Sequence, residues 1–157
     1  MNGVLVGGSM LISGEVSSGL GRAHIFMAQP HYKDQFESLL DMNAWPGTLN
    51  VKVSGESLDN YKRLRVCAGL EEGVDSGINS YRINGFERDG KSFGGATAFH
   101  AEMRVGVQNQ RCAILIPDLT RHEDVVEIIA NVFLREKLEL TDGKVVNIYL
   151  ESDQIDE

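Results

Sequence analysis

At 157 residues, 42% hydrophobic and 24% charged, the chain has the size and composition of one globular domain able to bury its own core. A formal net charge of −8 argues against a protein whose main work is gripping nucleic acid, which calls for a basic face. Cys67 and Cys112 lie far apart without metal-ligand spacing, and no apolar run reaches membrane-span length, so a reduced, cytoplasmic protein with no membrane partner is expected.

Residues 1–10 read as an N-terminal extension; Met1 to Ile12, with neither a basic start nor a long apolar core, is not expected to be a signal peptide. Leu11 to Ser17 reads as a short strand ending in the turn Ser18-Gly19-Leu20-Gly21, and Ile25 to Ala28 is a second apolar run stopped by Pro30. From Pro30 the period changes. Tyr32, Phe36, Leu39 and Leu40 fall at i, i+4, i+7 and i+8, one face of a helix with proline at a favourable first position, closed by Asp41 to Pro46.

Pro46-Gly47-Thr48-Leu49-Asn50-Val51-Lys52-Val53 is a turn running into a strictly alternating strand. Leu49, Val51 and Val53 share one face. Thr48, Asn50 and Lys52 share the other, and this row of hydroxyl, amide and ammonium suits a hard cation and a phosphate. Any amphipathic strand shows the same alternation, so the pattern alone leaves both readings open.

Residues 54–90 read as a loop-rich insertion, with a surface loop at Gly69 to Gly77 and a hairpin turn at Asp89-Gly90 leading into Ser92 to Met103. Ala113 to Ile116 is a buried strand stopped by Pro117, and His122 to Ala130 reads as a short helix with acidic residues first. Leu134 to Leu140 follows, then the turn Thr141-Asp142-Gly143 and a last strand, Val145 to Glu151, with Val146, Ile148 and Leu150 on one face. Some six short strands with two or three short helices, and no regular strand–helix alternation, predict a single mainly-β domain built as a small closed barrel.

Common enzyme signatures are missing. There is no G-x-x-x-x-G-K-[ST] loop, no H-E-x-x-H and no G-x-S-x-G. Gly19-Leu20-Gly21-Arg22-Ala23-His24 begins like a dinucleotide fingerprint but has histidine in place of the third glycine.

Three segments nevertheless point to one family: Gly14-Glu15-Val16-Ser17-Ser18-Gly19-Leu20-Gly21; Pro46-Gly47-Thr48-Leu49-Asn50; and Glu127-Ile128-Ile129-Ala130 with Leu134-Arg135-Glu136 and Asp142-Gly143 downstream. In this order and spacing they resemble the archaeal-type CTP-dependent riboflavin kinases. The resemblance implies a six-stranded cradle-loop barrel that moves the terminal phosphate of CTP onto the ribityl 5′-hydroxyl of riboflavin, giving FMN and CDP. It places nucleotide binding at Gly19, Leu20, Gly21, Arg22, Ala23 and His24, with a second stretch at Val132, Phe133, Leu134 and Arg135. It places Mg2+ on Thr48 and Asn50, and flavin contacts on Thr120 and Glu127.

Each site has a structural rival. Glycines at Gly19 and Gly21 let backbone N–H groups approach phosphates, or simply make a hairpin turn. Thr120 stands three residues before Glu123, a capping-box pattern for the helix expected at 122–130, and Glu127 falls in the middle of that helix. Arg135 neutralises phosphate or pairs with Glu139 one helical turn on. Where the family continues its glycine loop with an acidic residue, glycine and a basic residue, this chain has Arg22-Ala23-His24, and Asn131 replaces a proline. A non-catalytic flavin- or nucleotide-binding barrel, acting as sensor or regulator, is the alternative reading; the sequence leaves the oligomeric state open, a monomer being one option.

Overall fold

Six antiparallel strands close on themselves. In the computed structural model, which describes residues 9–18, 30–40, 45, 47–73, 77–118 and 123–151, the strands are β1 (Ser9–Ser17), β2 (Leu49–Lys52), β3 (Tyr81–Ile83), β4 (Phe86–Arg88), β5 (Lys91–Phe93), β6 (Ala96–Val105), β7 (Gln108–Pro117), β8 (Val125–Ile129) and β9 (Val145–Glu151). The helices are α1 (Pro30–Leu40), α2 (Gly55–Cys67) and α3 (Leu134–Lys137). The order β6-β7-β8-β2-β1-β9 returns to β6 through the pairs Glu102↔Tyr149, Met103↔Ile148 and Arg104↔Asn147, so the mainly-β barrel expected from sequence is present. Closure leaves the six barrel strands no open edge in the paired region. Strand β3 adds to β6 outside the ring, and β4 and β5 form a separate hairpin. Its turn is Asp89-Gly90, both with positive φ (52° and 76°), as a two-residue hairpin loop of this kind requires.

Alternation sorts the side chains. Ile12 and Val16 of β1, Val51 of β2, Ile114 of β7, Val126 and Ile128 of β8 and Ile148 of β9 all point inward and are essentially inaccessible. Each such side chain contributes roughly 1.5–3 kcal/mol relative to exposure. The barrel is tight where β1 crosses β2: a Cβ on Gly14 would run into the Lys52 carbonyl and the Val51 side chain. Only glycine fits there.

A second apolar layer lies outside the ring. Ala113 and Leu115 of β7 and Ile129 of β8 face outward beneath Tyr32, Phe36 and Leu39 of α1, the stripe read from the helical period. Gln35 fastens α1 to the β3–β4 turn, accepting from the Asn84 N–H at 2.7 Å and donating to its carbonyl at 3.0 Å. Strands covered on both faces lose the polar–apolar alternation that marks a half-exposed strand.

Two segments differ from expectation. Residues 123–130 are not helical: Val125–Ile129 is β8, central in the barrel between β7 and β2. Val126 and Ile128 fill the interior and Ile129 the layer under α1, so the outer face is apolar at its far end, and the β-branched residues of the run favour extended backbone. Residues 54–90, expected to be loop-rich, hold the 13-residue helix α2, whose Tyr61 and Leu64 enter the core. Helix α2 also completes β1. Beyond its pairing with β2, β1 has backbone groups facing α2; the Ser57 hydroxyl accepts from the Ser13 N–H at 2.9 Å, and Asn60 Nδ2 donates to the Leu11 carbonyl at 2.8 Å. The apolar run Ile25 to Ala28 lies outside the described residues.

Candidate functional site

The polar face of β2 is the outer face of the barrel. Its register places Asn50 opposite Ser17 of β1 on one side and Glu127 of β8 on the other, with Leu115 of β7 next in the row. Directly opposed residues of antiparallel strands point to the same side, with Cβ atoms about 4.5–5.5 Å apart. Ser17, Asn50 and Glu127 therefore form one continuous polar row. Thr48, two residues earlier on the same face, donates its hydroxyl to Asn50 Oδ1 at 3.3 Å. Lys52 stands at the other end of β2, opposite Glu15 and Val125, and is exposed.

Glu127 is thus a strand residue, not a mid-helix one. The period-two geometry of β8 turns it out of the core while Val126 and Ile128 turn in. It is half-buried, and its negative charge adds to the environment that raises the buried Tyr61 phenol. Burial is the main cause there, pushing Tyr61 up to about 12 against an opposing effect from Arg65. Arg65 is itself ion-paired with Glu71 at the end of α2. Thr120 lies outside the described residues, and since 125–129 is a strand, the capping-box reading of Thr120 does not hold.

The stretch Val132 to Arg135 divides by direction. Leu134 is buried and Val132 packs against the core, so only Phe133 and Arg135 present their side chains outward. Arg135 does not pair with Glu139. Helix α3 covers only Leu134–Lys137, and Glu139 has left it with φ 53°, so helical i, i+4 geometry is not available. Instead Arg135 Nη2 donates to Asp142 Oδ1 at 2.8 Å and to the Ser17 carbonyl at 3.2 Å. The Ser18 hydroxyl donates to Asp142 Oδ2 at 2.6 Å. Together the Ser18 hydroxyl and the Arg135 guanidinium hold the Asp142 carboxyl below its ordinary range. The turn is docked by backbone as well, with Gly143 N–H donating to the Val16 carbonyl at 2.7 Å. Gly19, Leu20, Gly21, Arg22, Ala23 and His24 lie outside the described residues; the chain enters that segment from Ser18, directly beside Arg135.

One neighbour escaped the sequence reading. Trp45, the chain's only tryptophan, stacks on Phe133 with ring centroids 5.0 Å apart and planes 13° from parallel. Its backbone N–H donates to the Ala130 carbonyl at 2.8 Å, which seats the ring just ahead of the turn into β2. The only signal available in the sequence is its position immediately before Pro46-Gly47-Thr48.

The donor set fits a hard cation in part. An octahedral Mg2+ with ligands at 2.0–2.1 Å has adjacent ligand oxygens about 2.9–3.0 Å apart. Thr48 Oγ1 and Asn50 Oδ1, at 3.3 Å, are close to two such corners. Both are neutral, and among the described residues no group of three His, Cys, Asp or Glu forms a metal site.

Fold and site together define a small closed antiparallel barrel with an outward polar row running from a cationic corner at Arg135 to a carboxylate at Glu127. Residues 16–150 match the family model CTP-dep_RFKase, described as "Domain of unknown function DUF120". Relatives named riboflavin kinase include proteins of Thermoplasma acidophilum (33% identical over 140 residues, 89% of this chain and 57% of that protein) and Methanoculleus marisnigri (33% over 143 residues, 90% and 58%). A third, from Methanococcoides burtonii, is 36% identical over 139 residues, 88% of this chain and 56% of that protein. The chain belongs to the archaeal-type CTP-dependent riboflavin kinase family. It spans a little over half the length of these relatives. Among the described residues no helix is long and apolar enough to cross a membrane.

Proposed function

We propose that this chain phosphorylates riboflavin to FMN, taking the terminal phosphate of CTP with Mg2+ bound alongside the nucleotide. The observation that carries the reading is the sorted polar row: Arg135 beside Ser17 at one end, Thr48 and Asn50 in the middle, Glu127 at the other. Phosphoryl transfer is catalysed mainly by positioning and charge neutralisation, and the row offers both. Mg2+ held by Thr48 and Asn50 would neutralise charge on the phosphate being transferred. Arg135 would hold the anionic end of the donor with charge-assisted hydrogen bonds. Glu127 would accept hydrogen bonds from the ribityl hydroxyls of an uncharged acceptor, and its own charge would repel a phosphate bound at the wrong end. The residues 19–24 and Thr120 complete the donor and acceptor sites in this reading. The cytoplasm is the compartment that suits a nucleotide-dependent reaction of this kind.

The test is direct. Protein, riboflavin and Mg2+ are incubated with CTP, ATP or GTP, and FMN is followed by chromatography. FMN is expected with CTP, and its formation should stop on chelation of the metal. Absence of FMN with all three nucleotides would refute the kinase reading in favour of a binding barrel. The double variant Thr48→Ala, Asn50→Ala should lose turnover by at least about 100-fold, through loss of the two side chains that would hold the metal. It should still bind riboflavin; turnover at the wild-type rate would remove the metal from this row.

A further inference from the structure

One carboxylate ties the cationic corner of the row to the turn that precedes β9. Asp142 Oδ1 accepts from Arg135 Nη2 at 2.8 Å, while its Oδ2 accepts from the Ser18 hydroxyl at 2.6 Å. The same Nη2 donates to the Ser17 carbonyl at 3.2 Å, so the guanidinium is fastened to the end of β1 by a single nitrogen. Among the described residues Arg135 Nε and Nη1 donate to nothing and stay open to an anion. We propose that Asp142 is a positioning residue for the phosphate donor, holding Arg135 by Nη2 so that its remaining donors meet the donor's phosphates. The inference rests on the kinase reading above.

Neither the turn nor the fold accounts for this carboxylate. The turn closes by backbone, with Lys144 N–H donating to the Thr141 carbonyl at 3.0 Å, and its one demanding position is Gly143, with φ 92°. It is docked by backbone too: Val16 N–H reaches the Lys144 carbonyl at 2.9 Å, and Leu140 N–H the Arg135 carbonyl at 2.8 Å. The ion pair itself is open to solvent and adds little to stability. A carboxylate beside an anion site also repels the anion, so a role that offsets the repulsion is required. Order in Arg135 supplies it. A free arginine gives up rotamer freedom when it meets a ligand, whereas one already held at Nη2 has lost much of that freedom beforehand. Ser18 completes the chain of contacts by fixing Asp142 in turn.

The test is a double-mutant cycle of wild type, Asp142→Ala, Arg135→Ala and the two combined, with Asp142→Asn beside it and thermal melting to check each fold. Calorimetry measures the Kd of CTP with Mg2+ and, separately, of riboflavin. Asp142→Ala should raise the nucleotide Kd about 2- to 12-fold, the range for one long side chain ordered only on binding. Simple removal of a negative charge predicts the opposite sign, tighter binding. Asp142→Asn, which keeps an oxygen for Arg135, should recover most of the loss. In the Arg135→Ala background, removing Asp142 should weaken binding no further, and the riboflavin Kd should be unchanged throughout. Tighter or unchanged nucleotide binding in Asp142→Ala would overturn the proposal, as would an equal loss in both backgrounds. These results in a protein that still makes FMN leave the kinase reading intact. A wild type that binds CTP but makes no FMN removes the kinase reading alone, and the cycle still decides what Asp142 does for the nucleotide. A wild type that binds no CTP removes both.

Discussion

Replacing Arg135 separates what the side chain does for the fold from what the proposed function asks of it. Its guanidinium contacts the Ser17 carbonyl and Asp142, with the two side chains 31% and 56% exposed. Ion pairs this open to solvent add little to folding, so Arg135→Ala should leave the melting temperature within about 3 °C of wild type. The effect on the nucleotide should be much larger. A hydrogen bond to a charged group contributes about 1.5–3 kcal/mol. Removing it from a phosphate should raise the nucleotide Kd by about 10- to 150-fold. Arg135→Lys keeps the charge but not the fork that reaches Ser17 and Asp142 together, so it should recover only part of the loss. Calorimetry with CTP, CDP and riboflavin reads the outcome, the riboflavin Kd serving as control. A large drop in melting temperature with nucleotide affinity intact would refute the reasoning and make Arg135 a structural clasp for the Asp142 turn.

Two further expectations concern the scaffold. Asn60→Leu removes the buried donor that serves the Leu11 carbonyl at 2.8 Å on the part-buried edge of β1, leaving that carbonyl without this partner at a cost of about 1–3 kcal/mol. Melting should fall by roughly 2–12 °C for a chain of this size, and an unchanged melting temperature would mean that α2 does not substitute for a strand at this edge. Tyr61 is raised from 10.0 to about 12 chiefly by burial, so the unfolded chain releases this proton first. Its contribution is therefore fully present below pH 10 and lost as pH rises toward 12, at most about 2–3 kcal/mol in all. Chemical unfolding between pH 9 and 12 should show this decline, and Tyr61→Phe should flatten it; an equal decline in that variant would assign it elsewhere.

Local features were legible where one face of an element meets solvent. The helical stripe of Tyr32, Phe36 and Leu39 and the alternation of Leu49, Val51 and Val53 both carry such a face, and both elements stand where the sequence reading places them. Legibility failed where burial removes the contrast. Val126 and Ile128 fill the barrel and Ile129 the layer under α1, so Glu127 is the one polar residue of the strand and gives little alternation to read, while the acidic residues before it suggested a helix start. Helix α2 was missed for the opposite reason: its buried positions include Asn60 and Arg65, which face β1 and Glu71 through hydrogen bonds rather than apolar contact.

The sequence by itself determined which side chains of β2 act together, because alternation along an extended chain is a local property of the backbone. It placed Thr48 and Asn50 on one face and Leu49 and Val51 on the other. Only the tertiary structure decided what that face meets. Barrel closure sets the register that puts Glu127 and Ser17 on either side of Asn50, brings Arg135 to Ser17 across 118 positions, and stacks Trp45 on Phe133. Those neighbours depend on long-range strand pairing, which no window of the sequence contains.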